Sequence, residues 1–472
     1  MHSKSHGKAL VFLLLPVALI ALLASGCGTT NSGSSSSTSS SSSSTPTGPA
    51  FVIGTDAPLA GVVSFTVQLQ SVNAIDANGN QVPLLSGTPT VDFARYNGLQ
   101  TLLDMNDVPT GTYNSIAITL GTTTIGYLQT QSGAAPTIQT MPAVLTESTV
   151  TTTLSSPLVV SQTEPVGLHL DFDLQKSIQV DSSGQITGQV TPTFNVKAVA
   201  PSDSGAYIDE FDAGVVSVNA TGQSFVIQGP HGRQFTVNVN GQTEWDNNES
   251  ISDLTTSSIV QISGTLDRAD STIDADEVAI LSQDGFYAAG LVTYVQPASG
   301  TASSFDLYVR GLLPTSTGIS LGQIAQVNLT ENEKYFIYWM HNPLTQFLFN
   351  SGALVPGQHL SVGGPASGAA NPQAVTAKRI VLRHWGYVGT VVAGSVSDGN
   401  QTFQMNVTGF AGLLVPGPVT VFVADGTHYR NGFSKLDDVG SATSIRVVGL
   451  LIRDPFSSQL VILAHYVDDM NS

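Results

Sequence analysis

Between residues 206 and 472 one pattern of short strands recurs three times, and this repeat constrains the fold more than any other feature of the chain. Each copy opens with a Gly-x-Val strand, at Gly214, Gly290 and Gly389. A strand containing phenylalanine follows, and the copy closes with strands of alternating apolar residues. Each copy is roughly 80 to 100 residues long, with five or six predicted strands and no long helix. Such repetition predicts tandem copies of one small β-domain.

One aromatic residue stands at the same place in every copy, two positions after a threonine or a glutamate. These residues are Trp245, Tyr335 and Tyr429. They could form a stacking surface for sugars, with one ring in each module. We favour a plug in the core of each module, because a repeated aromatic residue at one register usually packs inside.

The densest aromatic segment lies in an insertion of the second copy. Insertions on a repeated scaffold often carry binding surfaces. The segment is therefore a candidate surface for a polysaccharide or a partner protein, and the alternative is that its rings pack between neighbouring modules. The candidate ligand residues are Tyr335, Tyr338, Trp339 and His341.

Residues 51 to about 200 show the alternation of a half-buried antiparallel sheet. After the first predicted strands, the stretch 76–80 contains Asn78-Gly79, which is typical of a hairpin turn. A calcium loop can begin in a similar way, but its remaining acidic ligands and closing glutamate are absent, so we predict a hairpin. The apolar residues that share one face of the strand before it are Val63, Phe65, Val67 and Leu69.

One strand of this domain carries a candidate metal site. Alternation places Leu168, Leu170, Phe172 and Leu174 on the core face and puts three polar side chains on the other face. An imidazole and carboxylates in a row could bind a divalent cation. The alternative is a solvated strand face whose acids brace neighbouring loops, and no other cofactor is expected. The candidate ligands are His169, Asp171 and Asp173, with Asp56 as a fourth.

The first domain carries a set of short motifs, which are Gly54-Thr55-Asp56-Ala57-Pro58, Asn97-Gly98-Leu99-Gln100, Pro109-Thr110-Gly111-Thr112-Tyr113, Leu170-Asp171-Phe172-Asp173-Leu174 and Thr191-Pro192. With these motifs the domain resembles the bacterial family named domain of unknown function 4382. The resemblance implies a β-sandwich domain of extracytoplasmic bacterial proteins, and it implies no activity.

The first copy of the repeat contains Gly214-Val215-Val216, Phe225-Val226-Ile227 and Thr243-Glu244-Trp245. With these residues the repeats resemble a second family, domain of unknown function 5666, most closely in the first copy. This resemblance implies small OB-like β-barrels, a fold that hosts many ligands and names none. The predicted fold class is all-β, with an N-terminal β-sandwich followed by three tandem small OB-like β-barrel modules.

The N-terminus predicts export and lipid anchoring. Lys4 and Lys8 precede an apolar run that is short for a bilayer-spanning helix and is interrupted by Pro16. The segment ending at Cys27 resembles the lipobox of bacterial lipoproteins, in which this cysteine is acylated. The alternative is an ordinary secretory peptide that leaves a stray thiol. Cys27 is the only cysteine, and lipidation explains its presence better.

The predicted domain organisation follows from these features. A Ser-rich stretch after Cys27 lacks apolar residues to bury and should be a flexible tether. The predicted segments are a lipoprotein signal peptide (1–26), a lipidated disordered tether (27–50), a β-sandwich domain (51–200), β-barrel repeat 1 (206–283), β-barrel repeat 2 with the aromatic insertion (284–385) and β-barrel repeat 3 (386–472).

The net charge of the chain limits the classes of binding partner that are expected. Lys and Arg number 16 against 34 Asp and Glu, for a net charge of −18. No basic patch survives in that balance, so no nucleic acid partner is expected. The expected contacts are the membrane, through the lipid on Cys27, and an envelope protein or polysaccharide. The predicted location is the envelope of a bacterium, lipid-anchored and extracytoplasmic, on the periplasmic face or the cell surface.

Catalysis is not expected. Gly318-Ile319-Ser320-Leu321-Gly322 fits G-x-S-x-G, but it follows a loop and no strand-turn-helix pattern surrounds it. The leading hypothesis is a non-enzymatic, lipid-anchored string of β-domains that binds or scaffolds something at the cell envelope. One alternative is a polysaccharide-binding lipoprotein that uses the aromatic insertion. The other is a metal-dependent enzyme or metal-binding domain that uses the acidic strand.

Overall fold

Strands dominate the chain, as the alternation of apolar and polar residues predicts. In the computed structural model 63% of the residues lie in strands and 7% in helices, so the all-β prediction is confirmed. The α-helices of the described part are α1 (Leu174–Ser177), α2 (Gly409–Leu414) and α3 (Leu436–Val439), and none there is long and apolar enough to cross a membrane. The structure describes residues 45–57, 62–96, 100–129, 137–182, 185–199, 207–229, 232, 234–266, 272–297, 300–314, 318–338, 348–365, 374–415, 417–440, 442–454 and 457–470.

The N-terminal domain is built from thirteen described strands. They are β1 (Thr47–Ala57), β2 (Val62–Asp76), β3 (Gln81–Pro83), β4 (Thr90–Asp92), β5 (Thr101–Pro109), β6 (Gly111–Gln129), β7 (Thr137–Pro142), β8 (Val144–Leu145), β9 (Thr149–Val160), β10 (Val166–Asp173), β11 (Ile178–Val180), β12 (Ile186–Val190) and β13 (Phe194–Val199). One sheet has the order β13-β10-β1-β5, and a second has β3-β2-β6-β7 with β4 beside β2 and β9 beside β6. A small third sheet has the order β11-β12-β8.

The two larger sheets enclose the core of a sandwich. Phe65 of β2 and Phe172 of β10 meet with ring centroids 4.9 Å apart, and Phe172 stacks on Phe194 of β13 at 4.4 Å. Leu168 and Leu170 are also buried there, so the predicted core face of β10 is confirmed. Aromatic pairs at this spacing add to the free energy that burial of their area supplies.

The turn between β2 and β3 is the predicted hairpin and not a cation loop. Its Gly79 adopts a φ of 85°, which favours glycine. The Asp76 carboxylate accepts hydrogen bonds from the backbone N–H groups of Asn78 and Asn80, both at 2.8 Å. The carboxylate oxygen is therefore used to close the turn.

Barrel 1 follows the sandwich. Its strands are β14 (Tyr207–Asn219), β15 (Ser224–Gln228), β16 (Gln234–Asn238), β17 (Glu244–Trp245), β18 (Ile259–Leu266) and β19 (Ile273–Ser282). Pairing runs in the order β16-β15-β14-β18-β19, and a parallel pairing of β19 with β16 closes the ring. The short β17 lies parallel to β19.

Barrel 2 repeats this arrangement. Its strands are β20 (Tyr287–Gln296), β21 (Ser304–Leu313), β22 (Ile324–Asn328), β23 (Lys334–Ile337), β24 (His359–Gly363), β25 (Ala374–Thr376) and β26 (Arg379–Arg383). The segments β25 and β26 together replace the single β19 of barrel 1. The first pairs in parallel with β22 and the second pairs with β24, so the stretch 374–383 connects the two sides of the ring.

Barrel 3 is a closed five-stranded barrel with the order β27-β28-β29-β31-β30. Its strands are β27 (Trp385–Val391), β28 (Thr402–Val407), β29 (Pro418–Arg430), β30 (Ile445–Arg453) and β31 (Leu460–Asp469). In every barrel the third strand pairs in parallel with a strand from the C-terminal part of the module: β16 with β19, β22 with β25, and β29 with β31. All three barrels thus share the strand order expected of OB-like modules.

The aligned aromatic residues occupy one structural position. Trp245 lies opposite Val278 of β19, Tyr335 lies opposite Ile380 of β26, and Tyr429 lies opposite Val467 of β31. In each case the pairing is parallel. All three are partly buried against the core of their own barrel. The three rings therefore pack against the edges of the cores and do not fill their centres.

The apolar cores continue across the modules. Residues Thr45–Ser472 form one compact unit. Phe51 and Ile53 of β1 lie in the core cluster of barrel 1, and Leu450 and Ile452 of barrel 3 lie in that of barrel 2. Side chains from neighbouring modules are therefore buried against each other, and the modules pack together as one unit.

Candidate functional site

The predicted metal ligands of β10 are spread along a half-buried strand face. Asp173 caps α1, accepting from the Lys176 N–H at 2.9 Å, and it also pairs with the Lys176 Nζ at 2.7 Å. Burial, and then the charge of Lys197, lowers the pKa of His169. Burial, and then Asp173, raises the pKa of Asp171, which Arg446 of barrel 3 partly offsets.

No metal geometry emerges from these ligands. The backbone of Asp56 lies opposite Phe172 in the parallel β1–β10 pairing, but its side chain lies outside the description. Among the described residues, no three His, Cys, Asp or Glu side chains are arranged to hold a metal ion. The site at His169, Asp171, Asp173 and Asp56 remains a prediction.

The predicted ligand surface of barrel 2 requires a correction. Tyr338 is only 2% exposed, and its hydroxyl lies 2.9 Å from the Ser263 Oγ of barrel 1. Tyr335 packs edge-on against Phe349 at 5.6 Å and donates a hydrogen bond to Glu333. Tyr338 therefore belongs to the junction between barrels 1 and 2, because its ring is more favourably buried there than in water. Trp339 and His341, like Cys27, lie outside the described residues.

A cluster of five polar and charged side chains is buried where the sandwich meets barrels 1 and 2. The predictions from the sequence did not include it. We call it the arginine cluster and define it as Arg95, Glu210, Asp212, Tyr287 and Arg383. The Arg383 side chain is fully buried and donates to the Glu210 Oε2 at 2.7 Å and to the Tyr287 hydroxyl at 3.1 Å. Asp212 accepts hydrogen bonds from Arg95 and from the Tyr287 hydroxyl. Two guanidinium groups thus neutralise two carboxylates.

A bulge in the first strand of barrel 1 aims these carboxylates. The pairing of β14 with β18 shifts register between Ile208 and Phe211, and Glu210 adopts a φ of 40°. A bulge redirects side chains and twists the strand locally. Asp209, on the same bulge, turns instead toward Gln100 and Tyr466, where burial raises its pKa to about 6.

The surroundings of the arginine cluster shift the pKa values of its two acids in opposite directions. Burial alone would raise the pKa of Asp212, but Arg383 and Arg95 outweigh burial and hold that pKa below its usual value. Burial raises the pKa of Glu210, against the opposing effect of Arg383. Ion pairs that are removed from water are stable only when each charge keeps its partner.

A further buried ion pair extends the contact to barrel 3. The Arg310 Nε of barrel 2 donates to the Asp92 Oδ2 of the sandwich at 3.0 Å. The other Asp92 oxygen accepts from the Phe65 N–H at 2.8 Å. The Arg310 guanidinium stacks over the Trp385 ring of barrel 3 at 4.3 Å from its centroid. One arginine therefore touches three domains.

A pocket of about 320 Å³ opens beside the arginine cluster. Its walls come from the sandwich, from the bulged strand of barrel 1 and from β21 of barrel 2. Pockets at domain interfaces with convergent polar groups are the usual sites of ligand binding. Charged residues from all three of these domains line it, among them Arg95, Glu210, Asp212 and Arg310.

A second buried polar group crosses the same junction of barrels. We call it the carboxyl cluster and define it as Asp246, Ser263, Glu277 and Tyr338. The Glu277 side chain is buried and neither of its oxygens has a hydrogen-bond partner in the structure. Burial, and then the neighbouring Asp246, raises the pKa of Glu277 well above its usual value. The two clusters meet at Ser263, whose Oγ accepts from the Glu210 N–H at 3.2 Å.

One sequence signal could have pointed to the arginine cluster. The run Asp209-Glu210-Phe211-Asp212 places three acids directly before the strand predicted at Gly214, in a chain with only 11% charged residues. Charged residues are almost never fully buried unless they are paired. Their partner Arg383 lies more than 170 positions away, at a separation that local pattern does not reveal.

Comparisons with known proteins agree with the sequence resemblances. No curated protein matches the chain. Among solved structures, one titled "drosophila Unr CSD456" aligns with 55% of this chain and 97% of its own, at 9% identity and a TM-score of 0.15, a likeness too low to bear on the fold. Residues 50–189 match the family model Domain of unknown function (DUF4382), and residues 213–279 match Domain of unknown function (DUF5666). The chain therefore carries both resembled domains, in the predicted order from N- to C-terminus.

Proposed function

We propose that this chain is a lipid-anchored protein of a bacterial cell envelope that acts as a non-catalytic binding or structural module. The observation that carries the proposal is the arginine cluster, which joins the sandwich to barrels 1 and 2 through fully buried ion pairs. Such a junction resists relative motion of the domains, because separating them would expose apolar cores to water and leave buried charges without their partners. A rigid body on a Ser-rich tether suits the presentation of a surface near a membrane.

The chemistry of the junction supports a role in holding rather than reacting. The pKa of Asp212 is lowered, and the Arg383 guanidinium beside it stays protonated. General acid–base catalysis instead needs a group that can release and regain a proton near the working pH. The charges in this cluster therefore act as permanent contacts between domains.

Fractionation of bacteria that express the full chain tests the location. We expect the wild-type protein in the membrane fraction, labelled by a fatty-acid analogue, and the Cys27→Ala variant unlabelled in the soluble exported fraction. Ser25→Ala is a matched control, since a small residue is kept before the cysteine. Wild-type protein that is soluble and unlabelled would contradict the anchor.

Calorimetry of the same protein tests the rigid body. We expect one cooperative unfolding transition for residues 45–472, because the cores are shared between modules. Four separate transitions would show that the domains unfold independently. That result would remove the support that the arginine cluster gives to the proposal.

A further inference from the structure

The pocket beside the arginine cluster has the composition of a binding site. Thr88 is exposed at its edge, and Gly311 of β21 lies against the arginine cluster, where an added Cβ would stand 2.7 Å from the Arg95 Nη1 and 2.9 Å from the Tyr287 hydroxyl. Glycine at this position leaves room for the guanidinium to reach the pocket. The volume of about 320 Å³ lies at the lower end of the range of roughly 300–1,000 Å³ for small-molecule sites.

The charges around the pocket cancel. Arg310 pairs with Asp92, Arg95 pairs with Asp212, and Arg383 behind the wall pairs with Glu210. Three cations therefore meet three carboxylates. An ionic ligand would lose its hydration without meeting a net charge of the opposite sign, so the pocket disfavours both anions and cations.

Hydrogen-bonding capacity of both kinds remains unused. The Arg95 Nε and both terminal nitrogens of Arg310 are buried donors without a partner, and the Glu210 Oε1 is a buried acceptor without one. Buried polar groups of native proteins almost always have a partner, which is often water or a ligand. The ligand, or the water that it orders, has to offer acceptors and donors together.

The backbone at Glu210, one of the residues that line the pocket, is strained. A φ of 40° is uncommon for a residue with a side chain. Strain of this kind persists where the surrounding structure enforces it, and it clusters at ligand sites. Here it keeps one carboxylate oxygen on Arg383 and leaves the other oxygen unpaired.

We propose that this pocket binds a neutral, hydroxyl-rich ligand of one or two rings, such as a sugar or the end of a saccharide chain. Each hydroxyl group can donate to a carboxylate and accept from a guanidinium, and the residues that line the pocket carry both kinds of group. The inference rests on the proposed function as a binding module, and it names the ligand class of its domain junction. It places saccharide recognition at the junction of three domains and not on Tyr338.

Titration calorimetry with neutral and charged sugars tests the proposal on the full chain. The probes are glucose, N-acetylglucosamine and the β-1,4-linked dimer of each, with glucuronate as the anionic and glucosamine as the cationic counterpart. We expect saturable binding of at least one neutral probe. Its affinity should exceed that of either charged counterpart by about tenfold, which corresponds to the loss of one good contact.

Two variants locate the binding. Thr88→Trp places an indole at the edge of the pocket and is expected to weaken binding at least about tenfold. Thr151→Trp makes the same change on the exposed face of β9, outside the pocket, and should bind as the wild type does. Circular dichroism and the melting temperature of both variants show whether they fold.

Several outcomes would overturn the inference. If no neutral probe binds at millimolar concentration, the pocket holds water only. If a charged probe binds more tightly than every neutral probe, the proposed ligand class is wrong. If the Thr88→Trp variant binds as well as the Thr151→Trp variant, the proposed location of the site is wrong. Sugar binding by a protein that fractionates as soluble would instead refute the anchored location and leave this inference standing.

Discussion

The arginine cluster and the carboxyl cluster cross the same junction of barrels 1 and 2, share the Ser263 hydroxyl and differ in one respect. In the arginine cluster every buried carboxylate meets a guanidinium, as Asp212 meets Arg95. In the carboxyl cluster the buried Glu277 has another acid, Asp246, as its charged neighbour. The first arrangement favours the ionised form of Asp212, and the second favours the protonated form of Glu277.

The difference teaches how one interface can respond to pH in two opposite ways. A carboxylate with a lowered pKa, such as Asp212, stabilises the fold above its unfolded-state pKa and loses that effect as the pH falls through the folded value. A carboxyl with a raised pKa, such as Glu277, stabilises the fold at low pH and loses that effect as the pH rises. The junction should therefore be most stable at an intermediate pH.

Removing the central cation is expected to have the largest effect. Arg383→Met keeps the length and apolar volume of the side chain but leaves Glu210 and Asp212 without their shared guanidinium. Breaking a buried pair in this way costs about 3–5 kcal/mol of the free energy of unfolding. Chemical denaturation at neutral pH measures the loss.

Arg453→Met is the matched control. Arg453 is exposed and donates to a backbone oxygen, so its loss should change the free energy of unfolding by less than about 0.5 kcal/mol. Equal effects of the two substitutions would show that the arginine cluster contributes nothing beyond an ordinary surface charge.

Crowding the same cluster without changing its charge should have the next largest effect. In Gly311→Ala the new Cβ would meet the Arg95 guanidinium and the Tyr287 hydroxyl within 3 Å, which forces the cluster to shift. Overpacking of this kind costs about 1–3 kcal/mol. Thermal denaturation measures it, and Gly241→Ala, where nothing lies within 4 Å, should be close to neutral. A stable Gly311→Ala variant would mean that the cluster has room to rearrange.

Much of the fold could be predicted from the sequence, because strands and repeats produce patterns of apolar and polar residues that are visible over short stretches. The alternation in β10 and the aligned Trp245, Tyr335 and Tyr429 reflect the periodicity of a pleated sheet, which acts over a few residues. The order of the two resembled domains followed from short motifs as well.

The junction could not be predicted in this way. Arg383 and Glu210 meet only because two closed barrels dock with particular faces, and that docking depends on shape rather than on local period. The prediction that Tyr338 belongs to a ligand surface is wrong for the same reason. A dense apolar segment describes a binding surface and a buried interface equally well, and Tyr338 belongs to the interface.

The carboxyl cluster is expected to make stability depend on pH with a smaller amplitude. An unfolded glutamate has a pKa of about 4.3, so the contribution of protonated Glu277 is complete below that pH. As the pH rises from there to the raised pKa of folded Glu277, the free energy of unfolding should fall by up to about 1.4 kcal/mol per pH unit, and it should level off above that pKa. Glu277→Gln imitates the protonated acid, and it should match the wild type at low pH and exceed it at high pH.

Denaturation curves measured from acidic to mildly alkaline pH for both proteins test this contrast. Glu147→Gln changes an exposed glutamate of the sandwich and should follow the wild-type curve throughout. If the Glu277→Gln curve runs parallel to the wild-type curve, Glu277 is ionised in the folded protein. The contrast between the two clusters would then be lost.

The smallest effect is expected at an ion pair of the same junction that faces water. The Lys378 Nζ lies 2.6 Å from Asp284, in the segment that joins barrels 1 and 2, but the lysine side chain is 57% exposed. Its neighbour Arg379 is buried and holds Glu249 with two hydrogen bonds of 2.8 Å. Because solvent and salt screen an exposed pair, Lys378→Met should cost less than about 1 kcal/mol, and even that should vanish in about 1 M salt, where the screening length is about 3 Å. A loss as large as that of Arg383→Met would show that proximity, and not burial, determines what a charge contributes at this junction.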